Sequence, residues 1–267
     1  MKSGIKHFNL EITKKCNQKC FYCFNDSGYS QSKNELTLTE WKNSISEIAD
    51  LGYQSVHITG GEPFLHPAIV EILDHAINKG LSTTILSNGF KIAMLAKDNP
   101  DLFRKIKTAQ ISLDSTDPET HNSRRGFRNA YADAISAIAA FSELNVPIEI
   151  STTVSEQNIN HLLDIGLFCK SIGAALILRP LISAGRASNI QHNEYFIEQL
   201  NTIKSELINT YQVGVIDDRF CYVADENESD RLLLENGTVT VEATGKIRGK
   251  IVSKNNLNEL LLAIKAA

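Results

Sequence analysis

The sequence predicts an α/β protein built as a parallel sheet or barrel, and three observations predict it. Short β-rich runs alternate with longer helical patterns through the first two thirds of the chain. Several of those runs split with period two into one apolar and one polar face. The segments richest in chemically capable side chains fall where the runs end, the position at which parallel α/β folds carry their sites.

The six expected strands are residues 6–13, 55–59, 82–87, 109–114, 147–153 and 174–179. In the first, Leu10 and Ile12 oppose Asn9, Glu11 and Thr13; in the second, Val56 and Ile58 oppose Ser55, His57 and Thr59. The fourth sets Ile111 and Leu113 against Gln110, Ser112 and Asp114, and the fifth sets Ile148 and Ile150 against Glu149, Ser151 and Thr153. Helical periodicity covers 39–51, 67–79, 100–106, 131–144 and 157–172, several of these runs following Ser, Thr, Asp or Asn caps. In a barrel the apolar faces lie under the helices. The polar faces then line a wet lumen, so Glu11, His57, Gln110, Glu149 and Arg179 are candidates to face a substrate, with Glu11, His57 and Glu149 the candidates for catalysis. An open sheet with one solvated face would show the same alternation. The character changes near Asn189, dividing residues 1–188 from a tail, 189–267, that carries a helix at 194–211, an acidic loop at 225–230, strand-like runs at 232–234 and 238–241 and a last helix at 257–266.

Composition excludes several classes. A chain of 267 residues with 42% hydrophobic side chains can bury a sizeable core. Its net charge of −4 and lack of a Lys/Arg run argue against a nucleic-acid partner. The longest apolar stretches, such as 174–178 and 260–264, fall far short of the roughly 20 residues that cross a bilayer. The N-terminal residues have no apolar core or small-residue cleavage site, so the expected location is the cytoplasm. Three of the five cysteines fall within eight residues, which favours metal binding over a disulfide framework.

Those three, Cys16, Cys20 and Cys23, form a C-x3-C-x2-C cluster directly after the first strand. A structural zinc site wants four ligands and no fourth Cys or His lies nearby, whereas an iron–sulfur cubane can be held by three thiolates with one iron left open. Cys169 or Cys221 could in principle complete a zinc site, but Cys169 sits in an apolar helical pattern that fits a buried small hydrophobe. After the second strand, Gly60-Gly61-Glu62-Pro63 leaves backbone open to an approaching ligand, with Glu62 able to grip an amino group; read alone it is also a tight turn. Ser87-Asn88-Gly89 ends the third strand in the same way.

Taken in order, Cys16-x3-Cys20-x2-Cys23 with Tyr22 before the last Cys, Gly60-Gly61-Glu62-Pro63, Ser87-Asn88-Gly89 and Ser112-Leu113-Asp114 resemble the radical S-adenosylmethionine superfamily. The stretch from Ser112 through Arg124-Arg125-Gly126, with Pro180-Leu181 to Gly185-Arg186, is most similar to the subgroup with a C-terminal SPASM or twitch extension. The resemblance implies a partial (β/α)6 barrel of the TIM type with a small α+β C-terminal extension. It implies a [4Fe-4S] cluster on Cys16, Cys20 and Cys23, whose open iron chelates S-adenosylmethionine. One electron then cleaves that cofactor to a 5'-deoxyadenosyl radical that abstracts hydrogen from a substrate. By similarity Gly60, Gly61 and Glu62 hold the methionine amino group, Ser112 reaches the ribose, Arg124 pairs with the carboxylate, and Thr153 and Leu181 line the nucleoside; Ser87 and Asn88 count among the cofactor contacts. Arg125 is adjacent to Arg124, and one of the two can be a solvated charge. The tail keeps one cysteine, Cys221, so a single cluster is expected. Relatives of this kind use a one-electron donor such as flavodoxin or ferredoxin. The expected substrate is a peptide; the alternatives are a small molecule such as a sugar, nucleotide or cofactor precursor, since viperin-like proteins share these motifs, and a non-catalytic zinc-binding module.

Overall fold

A computed structural model describes residues 7–30, 34–190, 194–217, 238–241 and 247–248. Its strands are β1 (His7–Glu11), β2 (Ser55–Thr59), β3 (Ser82–Ser87), β4 (Thr108–Ser112), β5 (Ile148–Val154), β6 (Ala175–Pro180), β7 (Val215–Asp217), β8 (Thr238–Val241) and β9 (Ile247–Arg248). The helices are α1 (Leu38–Asp50), α2 (Ile69–Asn78), α3 (Ile92–Asp98), α4 (Pro100–Phe103), α5 (Pro118–Arg125), α6 (Ala130–Glu143), α7 (Leu162–Ser171) and α8 (Glu194–Asn209).

One sheet has the order β7-β6-β5-β4-β3-β2-β1-β8-β9. From β1 to β7 spatial order follows chain order and every pairing is parallel. Crossovers of one hand that always step the same way put their helices on one face. The sheet therefore curls as a partial barrel, where an open doubly wound sheet would reverse direction at a switch point. The strands continue past the six read from the sequence. α8 leads into β7 beside β6, while β8 pairs parallel with β1, as in Phe8↔Val239, and antiparallel with β9. The described strands after 189 thus border both edges of the array. The acidic loop, the 232–234 run, Cys221 and the 257–266 helix lie outside the described residues.

The alternation read along the strands has the predicted sense. Leu10, Ile12, Val56, Ile58, Ile111, Leu113 and Ile150 are fully buried, in one cluster with Trp41, Ile45 and Ile48 of α1, Ile72 and Leu73 of α2 and Phe141 of α6. Each such side chain withdrawn from water contributes about 1.5–3 kcal/mol. α1 is also closed at its start by a capping box, the Thr37 hydroxyl accepting from Glu40 N while the Glu40 carboxylate accepts from Thr37 N.

Two helices differ from expectation. The single helix placed at 100–106 is α4 alone, preceded by α3, which starts from Lys91 in the left-handed region without a capping side chain and so carries no start signal. α5 is not among the helices expected from periodicity, because its eight residues, PETHNSRR, have no apolar period. Its signals are local: Asp117 accepts from Thr120 N at 2.7 Å, Pro118 stands in the first turn and Gly126 ends it.

Candidate functional site

The cysteine loop leaves the C-terminal end of β1 and is held by three other segments. Gly61 N donates to Thr13 O at 2.6 Å and Glu62 N to Lys15 O at 2.9 Å. A Cβ at Gly60 would lie 2.5 Å from Thr13 O, and one at Gly61 would run into the Lys14 and Lys15 carbonyls, the former at 2.7 Å. These glycines therefore admit the close approach of the chain's own cysteine loop. Lys19 N donates to the carbonyl of Arg125 at 3.0 Å. From the far side, Arg186 sends Nε to Cys20 O at 2.7 Å and NH1 to Asp26 and Ser27 O, both at 2.8 Å. Gly185, at φ +56°, brings its backbone so close that a Cβ would sit 2.5 Å from Cys23 O. Leu181 packs with Cys20, Tyr22 and Ala187 in a small apolar cluster, so it covers the loop.

Glu62 is fully buried and spends its carboxylate within the protein. Oε1 accepts from Ser87 Oγ at 2.8 Å and Phe64 N at 3.1 Å, and Oε2 from Asn88 N at 2.8 Å. Burial pushes its pKa up to about 7, and those hydrogen bonds oppose the rise. Glu62, Ser87 and Asn88 thus form one unit that joins the ends of β2 and β3. Asn88 Nδ2 in turn donates to Asn17 Oδ1 at 2.9 Å and approaches Cys16 Sγ at 3.8 Å.

The three thiols fit an iron–sulfur cluster by their donor chemistry. All are free. Cys16 Sγ accepts from Gln18 N and Cys23 Sγ from Ser27 N, each at 3.4 Å, so backbone donors already face two of the sulfurs. Burial pushes the Cys16 thiol up to about 12, a cost that a coordinated metal offsets. Asn17 Nδ2 and Gln18 Nε2 are buried donors without a hydrogen-bond partner in the same loop. Among the described residues no three His, Cys, Asp or Glu side chains converge on a single ion, and a cubane binds its thiolates at separate irons.

Beside this loop lies a buried charge cluster. Asp114 accepts from the Tyr22 hydroxyl, from Arg125 NH2 and from Thr153 N, the latter two at 3.1 Å, with Arg124 Nε at 3.6 Å. Burial disfavours its ionised form, but Arg125, Arg124 and His121 outweigh that and hold its carboxyl below the usual range. Arg124 and Arg125 are 4% and 7% exposed, so neither is the solvated charge that the sequence left open. Arg124, given the cofactor carboxylate by resemblance, here donates through NH1 to Ser155 Oγ at 2.9 Å and through NH2 to Thr153 O at 3.0 Å. Ser112, half-buried, ends β4 in register with Ser151. Asp114, Arg125, Gly185 and Arg186 received no role from sequence reasoning; they lay within quoted motifs, but their partners are remote in the chain.

On the polar face, Gln110 Nε2 donates to Glu149 Oε2 at 2.8 Å, and Arg179 donates to Gln110 Oε1 at 2.9 Å and Ser151 Oγ at 2.8 Å. Glu11 is drawn to the cysteine loop, accepting from Asn25 Nδ2 at 3.4 Å. His57 is half-buried opposite Asn9. Glu11 and Glu149 thus stand on strands separated by β2, β3 and β4 and are held by different partners.

The family model "Radical SAM superfamily" matches residues 10–169. The antilisterial bacteriocin subtilosin biosynthesis protein AlbA of Bacillus subtilis is 29% identical over 197 residues, 72% of this chain and 43% of that protein. A PqqA peptide cyclase of Bradyrhizobium diazoefficiens is 31% identical over 158 residues, 58% of this chain and 41% of the relative. An S-adenosylmethionine-dependent nucleotide dehydratase of Selenomonas ruminantium is 37% identical over 113 residues, covering 42% and 40%. The chain spans under half the length of these curated relatives. Among solved structures, Streptococcus suis SuiB bound to S-adenosylmethionine superposes with a TM-score of 0.78 at 19% identity, over 98% of this chain and 65% of that one. No helix among the described residues is long and apolar enough to cross a membrane.

Proposed function

This chain belongs to the radical SAM superfamily, and from that premise we propose that it cleaves S-adenosylmethionine reductively at one [4Fe-4S] cluster on Cys16, Cys20 and Cys23 and modifies a peptide. The observation that carries the reading is the cysteine loop itself, three free thiols pinned over the strand ends by Gly61, Arg125 and Arg186. Bound together, cluster and cofactor supply a one-electron cleavage whose radical product removes a hydrogen atom from the substrate. The chain's own residues position and shield. Glu62, with Ser87 and Asn88, holds the β2 and β3 ends against the cysteine loop. Leu181 and Ala187 keep water from Cys20. By similarity Ser112 and Thr153 would border the cofactor's nucleoside, and Arg124, which here donates to Ser155, would be the partner for its carboxylate. Glu149, with Gln110 and Arg179, and Glu11 and His57 on the opposite strands, face the substrate. We assign residues 1–188 to the barrel unit and 189–267 to an extension, of which the described strands β7 and β8 border the barrel.

The peptide reading leans on the name of the PqqA peptide cyclase; a small-molecule reading is favoured by the nucleotide dehydratase, the relative of highest identity among those described. Anaerobic reconstitution with iron and sulfide, followed by dithionite and S-adenosylmethionine, tests the core of the proposal. Expected are about four irons per chain and release of 5'-deoxyadenosine, both lost in Cys→Ala variants. Colourless protein holding stoichiometric zinc would refute it. Deuterium from labelled peptide appearing in 5'-deoxyadenosine supports a peptide substrate, and deuterium from a labelled nucleotide supports the alternative. Flavodoxin or ferredoxin replaces dithionite as the physiological reductant.

A further inference from the structure

We infer that Gln18 tunes the cluster: its side-chain amide turns an N–H toward the sulfur of Cys20 when that sulfur binds iron, and so raises the midpoint potential. The inference rests on the cluster assignment above. It starts from a donor with nothing to donate to. Gln18 is 1% exposed, and its Nε2 is a buried atom without a hydrogen-bond partner. A buried donor left unpaired loses its hydration with nothing in return, so a partner is expected at this point of the loop. Asn17 also carries an unpartnered Nδ2, but its Oδ1 accepts from Asn88 Nδ2 at 2.9 Å, which fixes that amide. The Gln18 amide has no such anchor.

Gln18 touches two of the three sulfurs. Its backbone N donates to Cys16 Sγ at 3.4 Å, and its Oε1 accepts from the Cys20 thiol at 3.8 Å. Coordination to iron takes the proton from a cysteine sulfur. Cys20 then has nothing to give, and two acceptors, Oε1 and Sγ, face each other. The last side-chain torsion of glutamine is soft and two-fold, so a half-turn exchanges Oε1 for Nε2 without moving the backbone. One rotation separates the acceptors and gives the orphaned donor its partner. A reduced cluster carries one electron more than the oxidised one, and an N–H aimed at its sulfur favours that added negative charge. Gln18 therefore makes reduction easier. The backbone donors at Cys16 and Cys23 belong to the main chain, so exchanging the Gln18 side chain leaves them in place.

Two measurements on reconstituted protein without S-adenosylmethionine test this. Protein made with glutamine labelled with nitrogen-15 at the side-chain amide, then reduced with dithionite, should show by pulsed electron paramagnetic resonance a nitrogen-15 coupling to the cluster. Gln18→Met, an unbranched side chain that fills similar space without a donor, should remove that coupling. In redox titration, Gln18→Met and Gln18→Leu should both have midpoints more negative than wild type, because neither side chain can donate. A side chain that only fills space predicts no coupling at all. A wild-type spectrum without the coupling, a coupling that persists in Gln18→Met, or a midpoint at or above wild type in either variant overturns the inference. Should a variant fail to load iron, the other variant and the wild-type spectrum decide. Wild-type protein that takes up no iron refutes the proposed function instead, a distinguishable result.

Discussion

The layer between sheet and helices and the region above the strand ends are equally buried, yet they are built by opposite means. Trp41, Ile45, Ile58 and Phe141 are fully buried among other apolar side chains. Glu62, Asp114 and His121 are just as inaccessible, but each is held by named hydrogen bonds or ion pairs. Apolar contacts are non-directional, so the first region depends on volume and tolerates exchange of shape. The second depends on particular partners, because a buried polar group left unpaired loses its hydration with nothing in return.

The sharpest test of that difference is Gly61→Val. The added carbons meet backbone carbonyls of Lys14 and Lys15, which have no rotamer to yield. Iron uptake should be abolished; a variant that reconstitutes fully would show the cysteine loop to be as adaptable as the core. Phe141→Ala probes the other region and should cost about 3–5 kcal/mol in chemical denaturation, while the protein still takes up wild-type iron under native conditions.

A pH series separates the regions further. His121 has a folded pKa near 3 against an ordinary value of 6.5, so the unfolded chain binds its proton first as pH falls. The stability it contributes is complete above 6.5 and is lost as pH falls from there toward 3. His121→Asn, whose carbonyl can still accept from Asp114 N, should reduce the stability lost between pH 7 and pH 4.5 by about 2–3 kcal/mol. Parallel stability–pH curves for variant and wild type would place the titration elsewhere. Smallest is Ile45→Val, expected at about 0.5–1.5 kcal/mol with unchanged pH dependence; a larger cost would mean that the apolar layer is as shape-specific as the strand ends.

Much of this was legible in the residues. Alternation along β1, β2, β4 and β5 identified which face packs under helices, because pleat geometry repeats every two residues whatever the rest of the chain does. Spacing within eight residues was enough to gather Cys16, Cys20 and Cys23 on one loop. α5 escaped because it buries His121, Arg124 and Arg125, a helix face made of polar groups that hydropathy reads as solvent-exposed.

What only the tertiary structure decided is who partners whom. Glu62 looked like a ligand-gripping carboxylate, and it is Ser87 and Asn88 that occupy it. Gly61 lacks a side chain where the Lys14 and Lys15 carbonyls come close, a contact no motif announces. Arg186 reaches Cys20 across 166 residues. Periodicity and motif spacing are local, so a sequence by itself determines them. The pairing of buried donors, acceptors and charges depends on distances that exist only once the barrel has curled and brought the ends of its strands together.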